Sequence, residues 1–159
     1  MSEKIFDKGS RVSDFQLLDW QENIHSFKEQ SGKWTVLYFY PRDNTSGCTT
    51  EAVDFTNALV EIEGLNGAVI GVSPDKPATH KKFIDKHDLK ITLLSDPEHK
   101  VMDNFGVWQL KKMAGREYYG VVRSTFLINP EGVIQSVWRK VRVKGHVEKV
   151  LEKLRELSL

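Results

Sequence analysis

The run Trp34-Thr35-Val36-Leu37-Tyr38-Phe39-Tyr40 is apolar or aromatic throughout except for one threonine, and Pro41 closes it. A strand with one face in water alternates apolar and polar residues, and this one does not, so it predicts a strand buried on both faces. Such a strand needs cover on each side, which restricts the chain to layered architectures. Pro41 ends the run because it has no N–H to give to a ladder.

The flanking segments supply the layers. Residues 10–28 read as short strands around the turn-like Asp19-Trp20-Gln21-Glu22-Asn23. Beyond Cys48, the residues Ala52, Phe55, Leu59 and Ile62 recur at helical spacing, with an end expected near Gly64 and Gly67. Ala68 to Val72 and Ile91 to Leu94 read as further buried strands, with a helix between them that starts near Pro77 and turns Phe83 and Ile84 inward. A short helix follows through His99 to Phe105, and residues 107–119 read as a polar, irregular excursion over the surface. Val121 to Ile128 and Val133 to Val141 bracket the turn Asn129-Pro130-Glu131-Gly132, which predicts a hairpin. Val147, Val150, Leu151, Leu154 and Leu157 give a closing amphipathic helix. The expected class is α/β, a mixed β-sheet with helices on both faces and an N-terminal β extension.

At 159 residues the chain suits one domain, 1–159, with a core of its own. Its 23 basic and 22 acidic residues give no reason to expect nucleic acid or an anionic membrane as a main partner. No run approaches the roughly 18 apolar residues of a membrane span. The opening Met1-Ser2-Glu3-Lys4-Ile5-Phe6-Asp7-Lys8 lacks the apolar stretch of a signal peptide, so the expected location is cytoplasmic. A single cysteine excludes an internal disulfide and suits a reducing compartment.

That cysteine, Cys48, follows the strand and a polar loop, at the start of a helical pattern. In a first helical turn, unpaired N–H groups and the helix dipole favour negative charge, and cysteine pKa values fall there from about 8.5 to roughly 3.5–7.5. The competing reading is a small, inert, buried hydrophobe, but the neighbours Thr45, Ser46, Gly47 and Thr49 are not those of an inert core. Thr45 stands three residues earlier, the spacing of an N-cap hydroxyl and the N3 amide. The same spacing brings the hydroxyl near the sulfur, where it can hold a substrate oxygen; the two roles are compatible.

The motif Pro41-x-x-x-Thr45-x-x-Cys48 resembles the active-site signature of peroxiredoxins, thiol-dependent peroxidases on a thioredoxin-like fold. The longer string Phe39-Tyr40-Pro41-Arg42-Asp43-Asn44-Thr45-Ser46-Gly47-Cys48-Thr49-Thr50-Glu51-Ala52 is similar to the Q-type branch, also called bacterioferritin comigratory proteins. Val122-Arg123-Ser124-Thr125-Phe126-Leu127-Ile128 resembles the family strand that carries the active-site arginine. Trp138 to Val141 and Lys144 to Val147 resemble the segment leading into the final helix.

The resemblance implies a peroxidase acting on hydrogen peroxide and small organic hydroperoxides. Cys48 would attack the peroxide and become a sulfenic acid, with Thr45 and Arg123 as the other catalytic residues. Arg123 is permanently charged and presents a rigid fork of donors; the alternative is an arginine on a solvated strand face. Pro41 would stiffen the loop. Glu51 would orient the arginine or serve only as a first-turn acid favoured by the dipole, and Tyr40 would wall the site or belong to the core. Many Q-type members carry a resolving cysteine five residues after the reactive one; here that position is Val53, and no cysteine lies near Phe83 either. Resolution would then fall to an external thiol, namely thioredoxin, glutaredoxin, glutathione or another copy of Cys48, in a one-cysteine mechanism. A monomer is expected over a dimer.

No cofactor or metal is implied. There is no glycine-rich nucleotide loop, and the five histidines form no ligand set, His80 and His87 reading as surface residues on one helix face. Arg139, Lys140, Arg142 and Lys144 read as a solvated basic strip. The alternative from another class is a non-enzymatic thioredoxin-like binding or redox-sensing module.

Overall fold

Strand β3 (Trp34–Phe39) is buried along nearly all its length and lies inside the sheet. The computed structural model describes residues 5–159. Residues 1–4, which fall in the expected 1–159 domain and in the opening segment read for a signal peptide, lie outside the described residues. Around β3 the chain forms β1 (Gln16–Leu18), β2 (Ile24–Ser26), a 3-10 turn (Phe27–Gln30), α1 (Ser46–Gly64), β4 (Gly67–Ser73), α2 (Pro77–His87) and β5 (Thr92–Ser95). It continues through α3 (Lys100–Asn104), β6 (Trp108–Met113), β7 (Arg116–Val121), β8 (Ser124–Ile128), β9 (Ile134–Arg139) and α4 (His146–Ser158).

Seven strands make one sheet in the order β2-β1-β5-β4-β3-β8-β9. β4 pairs in parallel with both β3 and β5, as strand–helix–strand crossovers require, while β8 and β9 add an antiparallel edge. Side-chain alternation along β3 serves two cores. Val36 and Tyr38 pack with Ala52 and Phe55 of α1, Phe83 of α2 and Leu151 of α4. Leu37 and Phe39 pack on the other face with Met102 of α3, Phe27 of the 3-10 turn and Phe105. Each fully buried side chain of this size contributes about 1.5–3 kcal/mol, so one continuous apolar strand ties both layers to the sheet. This is the thioredoxin-like, mixed α/β arrangement expected, with β1 and β2 as the N-terminal extension.

Three local expectations are corrected. Residues 107–119 are not irregular: β6 and β7 form an antiparallel ribbon, turned by Ala114 and Gly115 at φ +50° and +79°. Two left-handed residues make the tight turn whose twist suits a hairpin, and alanine in the first position hides it in the sequence. The predicted strand Val121 to Ile128 is broken, because Val121 ends β7 and β8 begins at Ser124. Between them, the Val122 amide donates to the Val107 carbonyl and the Arg123 carbonyl accepts from Val141, so Arg123 stands outside the regular ladders. Helix α1 ends at Gly64 as expected, but Asn66, at φ +63°, takes the left-handed position rather than a glycine. Gly67 instead opens β4, where a Cβ would lie 2.8 Å from Ile62 Cγ2 and 2.9 Å from the Ile62 carbonyl oxygen.

Candidate active site

The end of β3 delivers Tyr40 and Pro41 to a short loop that enters α1. Thr45 is the extended N-cap residue, at φ −82° and ψ 153°, and Cys48 lies in the first turn. Expected capping by the Thr45 side chain does not occur: the hydroxyl donates to the Arg42 carbonyl at 2.9 Å. With its proton engaged there, the oxygen keeps lone pairs for a donor from outside.

Cys48 is 1% exposed. Arg123 reaches it from the break between β7 and β8, with Nη2 donating to Sγ at 3.2 Å and Nη1 donating to Glu51 Oε1 at 2.6 Å. Glu51 lies one turn beyond Cys48 on the same side of α1 and is fully buried. The fork of the guanidinium therefore spans a thiol and a carboxylate on one helix face, which a lysine's single ammonium cannot do in the same geometry. Burial pushes the Glu51 carboxyl up to about 7, with the Arg123 charge pulling against it. Burial opposes the Arg123 charge in turn, and Glu51 and Cys48 together hold its pKa above the ordinary value. Glu51 Oε2 and the Tyr38 hydroxyl are buried without a hydrogen-bond partner among the described residues.

Tyr40 belongs to the core cluster that contains Cys48. Its hydroxyl donates to Asp43 Oδ1 at 2.6 Å, so it braces the loop from within. From the sequence Asp43 has no role of its own, and its other partner reads as a surface histidine. His80 is fully buried rather than on the surface, with Nδ1 2.6 Å from Asp43 Oδ2 and Nε2 3.0 Å from the Leu94 carbonyl. A carbonyl only accepts, so Nε2 carries a hydrogen and the Nδ1–Oδ2 contact holds a further proton between the two groups. The Asp43 amide donates to Asp75 Oδ2, which also accepts from the Ser73 hydroxyl. Asp43, Asp75 and His80 bring ligand atoms within 4.8 Å of one another, a spacing compatible with a metal ion. These atoms are already engaged in internal hydrogen bonds, and the set ties α2 and β4 to the loop before Cys48. Only the short spacing of Asp43 from Cys48 hinted at this; His80 is invisible without the crossover.

The remaining basic residues lie outside this network. Arg139, Lys140, Arg142 and Lys144 are exposed, as the strip reading expects. Arg139 also covers the Phe126 ring at 5.2 Å and donates to the Phe105 carbonyl. No helix among the described residues is long and apolar enough to cross a membrane.

Comparison with known proteins adds to this geometry. Residues 9–137 match the AhpC/TSA family. Peroxiredoxin Bcp of Bacillus subtilis is 46% identical over 150 residues, covering 94% of this chain and 96% of that protein. A cysteine-to-serine mutant of PrxQ from Xylella fastidiosa superposes with a TM-score of 0.92 at 34% identity, covering 97% of this chain and 98% of that one. The bacterioferritin comigratory protein of Xanthomonas campestris, solved as trapped intermediate and ligand complexes concerning its alkyl peroxide reduction, gives 0.87 at 36% identity, covering 91% and 92%.

Proposed function

Because the chain belongs to the AhpC/TSA family and is a peroxiredoxin, we propose that it reduces hydrogen peroxide and small organic hydroperoxides through Cys48, with an external thiol completing the cycle. The observation that carries this reading is the Arg123 fork, 3.2 Å from Cys48 Sγ and 2.6 Å from Glu51 Oε1. Organic substrates are supported by the alkyl peroxide reduction named for the Xanthomonas campestris relative.

In the proposed step, the Cys48 thiolate attacks the terminal peroxide oxygen. An S–O bond forms as the O–O bond breaks, and the departing oxygen leaves as alkoxide or hydroxide that takes up a proton. Cys48 becomes a sulfenic acid. Arg123 faces negative charge at both ends of this reaction, on the sulfur before attack and on the leaving oxygen after it. A donor already held by Glu51 needs no reorganisation as the charge moves, which is the basis of electrostatic preorganisation. Thr45 is assigned the role of acceptor for the peroxide hydrogen, since its own proton is committed to the Arg42 carbonyl. Pro41 and Tyr40 have supporting roles, fixing the loop that carries Thr45.

Val53 stands where a resolving cysteine would follow, and Cys48 is the only cysteine in the sequence. A second thiol must then come from another molecule, either a protein such as thioredoxin or glutaredoxin or a small thiol such as glutathione. A reducing compartment, the cytoplasm, suits that requirement. Every group invoked in the peroxide step lies on one chain, so a monomer suffices.

The test is the oxidation rate of reduced protein by substoichiometric hydrogen peroxide at pH 7, followed by tryptophan fluorescence and intact mass. Cys48→Ser is expected to abolish the reaction. Arg123→Ala is expected to slow it about 100-fold or more, the usual consequence of deleting one preorganised donor. A wild-type rate equal to that of a free thiol in solution would sink the reading.

A further inference from the structure

Arg123 also lines a groove of about 520 Å³ shared by the β6–β7 ribbon, Val122 and residues 140–141. Its apolar lining includes Leu110, Met113, Tyr118, Val122 and Val141, and its charged lining is Lys111, Lys112, Lys140 and Arg123, with no carboxylate among them. Arg123 is paired with Glu51, and Lys112 lies 3.6 Å from Glu117 across the ribbon. Lys111 and Lys140 make no ion pair among the described residues. Lys111 is half-buried, and Lys140 is held at φ +53°, a conformation costly for a residue other than glycine. Burial and the nearby Arg123 charge lower the Lys111 pKa, with Cys48 acting in the opposite direction, so like charges meet in a groove whose lining holds no carboxylate. An anion entering it would relieve that repulsion.

We infer that this groove is the binding site for the resolving thiol, and that the thiol is a small molecule carrying at least one carboxylate, which Lys111 and Lys140 hold. The inference rests on the one-cysteine reading. That reading requires a foreign sulfur to reach Cys48, which is 1% exposed and adjoins the groove through Arg123. A groove of this volume accepts a small ligand in full, and ligand charge opposite to the lining both steers entry and sets orientation. With the carboxylate on the lysines, the sulfur is left for Cys48. It forms a bond to Sγ as the S–O bond breaks, and the oxygen departs as water with the thiol's proton. A second molecule of the same thiol attacks the outer sulfur of this mixed disulfide. The Cys48 thiolate leaves, the two small thiols depart joined as a disulfide, and the second thiol's proton is released. The two electrons removed by the peroxide are thereby restored.

The experiment uses the full chain oxidised with one equivalent of hydrogen peroxide, with Cys48 sulfenic acid verified by intact mass. It is mixed with 3-mercaptopropionate, 2-mercaptoethanol or cysteamine, which are similar in size and carry negative, neutral and positive charge. Each rate is normalised to thiolate concentration. The expected result is that 3-mercaptopropionate outpaces cysteamine about tenfold at low salt, with most of the advantage gone near 1 M salt, where charges are screened within about 3 Å. The double variant Lys111→Gln with Lys140→Gln should shrink that ratio at least about threefold, and Lys111→Glu should shrink it further. A ratio unchanged by these variants, or the same for all three thiols, overturns the proposal. So does a sulfenic acid that thioredoxin reduces but the small thiols do not; the one-cysteine reading survives that result. If no sulfenic acid forms on Cys48, both readings fall together.

Discussion

Two buried titratable residues give opposite pH signatures. Glu51 has its folded pKa raised from 4.5 to about 7 by burial. Between those values the folded state holds a proton that the unfolded chain has released, so this stability contribution falls as pH rises from about 4.5 to about 7. His146 is lowered from 6.5 to about 4, by burial first and then by Lys149 and Arg123. Across that window the unfolded chain binds the extra proton, so its contribution rises with pH. The neutral imidazole is engaged by Thr125, whose hydroxyl lies 2.8 Å from Nε2. Glu51→Gln removes the falling component, and urea midpoints measured from pH 4.5 to 7 should then climb more steeply than in the wild type. The same variant should oxidise more slowly, by up to about tenfold. Its amide oxygen still accepts from Arg123 but lacks the charge assistance of the carboxylate, worth at most about 1.5 kcal/mol. An unchanged pH slope would show that Glu51 is not protonated in the folded protein in this range. At this scale the sequence was informative about Cys48 and about the spacing of Glu51, both set within one helical turn. It could not say that the Thr45 hydroxyl turns to donate to the Arg42 carbonyl and accepts no hydrogen bond from the first-turn amides, because the loop's own conformation decides that.

The start of α1 is where backbone geometry and chemistry meet. A Cβ on Gly47 would sit 3.3 Å from Arg123 Nη2 and 3.9 Å from Val143 Cγ2. Alanine is favoured over glycine in a helix by about 1 kcal/mol, so Gly47→Ala should fold at least as stably by urea denaturation. Its oxidation by hydrogen peroxide should nevertheless slow about 3- to 10-fold, because a guanidinium shifted by a few tenths of an ångström no longer meets sulfur and carboxylate together. Loss of stability and activity in parallel would contradict this. Helices α1, α2 and α4 were legible because apolar spacing within one helix is a local property. The β6–β7 ribbon was not, since its turn uses alanine where asparagine or glycine would have signalled the conformation. The division of residues 121–128 was hidden for a related reason. The apolar content reads as one strand, yet Val122 pairs with Val107 and Arg123 with Val141.

Across the whole molecule, the His80–Asp43 pair joins the second crossover helix to the loop before Cys48, 37 residues away in sequence. Removing one member of a buried pair leaves the other without its proton partner, so His80→Ala should cost about 3–5 kcal/mol in urea denaturation. The cost with Asp43→Ala should be strongly non-additive in a double-mutant cycle; additive losses would mean the two groups are not coupled. The amino-acid sequence by itself determined the two-faced strand β3, the helix beginning beside Cys48, the helices that cover the sheet and the family signature from Pro41 to Cys48. These depend on side-chain periodicity and on residues a few positions apart. Only the tertiary structure decided that Arg123 leaves the ladder and spans Cys48 and Glu51, 75 and 72 residues away, and that His80 is buried rather than exposed. Contacts at such separations exist only once the parallel crossovers and the β8–β9 edge have brought distant segments to one end of the sheet. Their distances are then set by packing between segments, which no local pattern encodes.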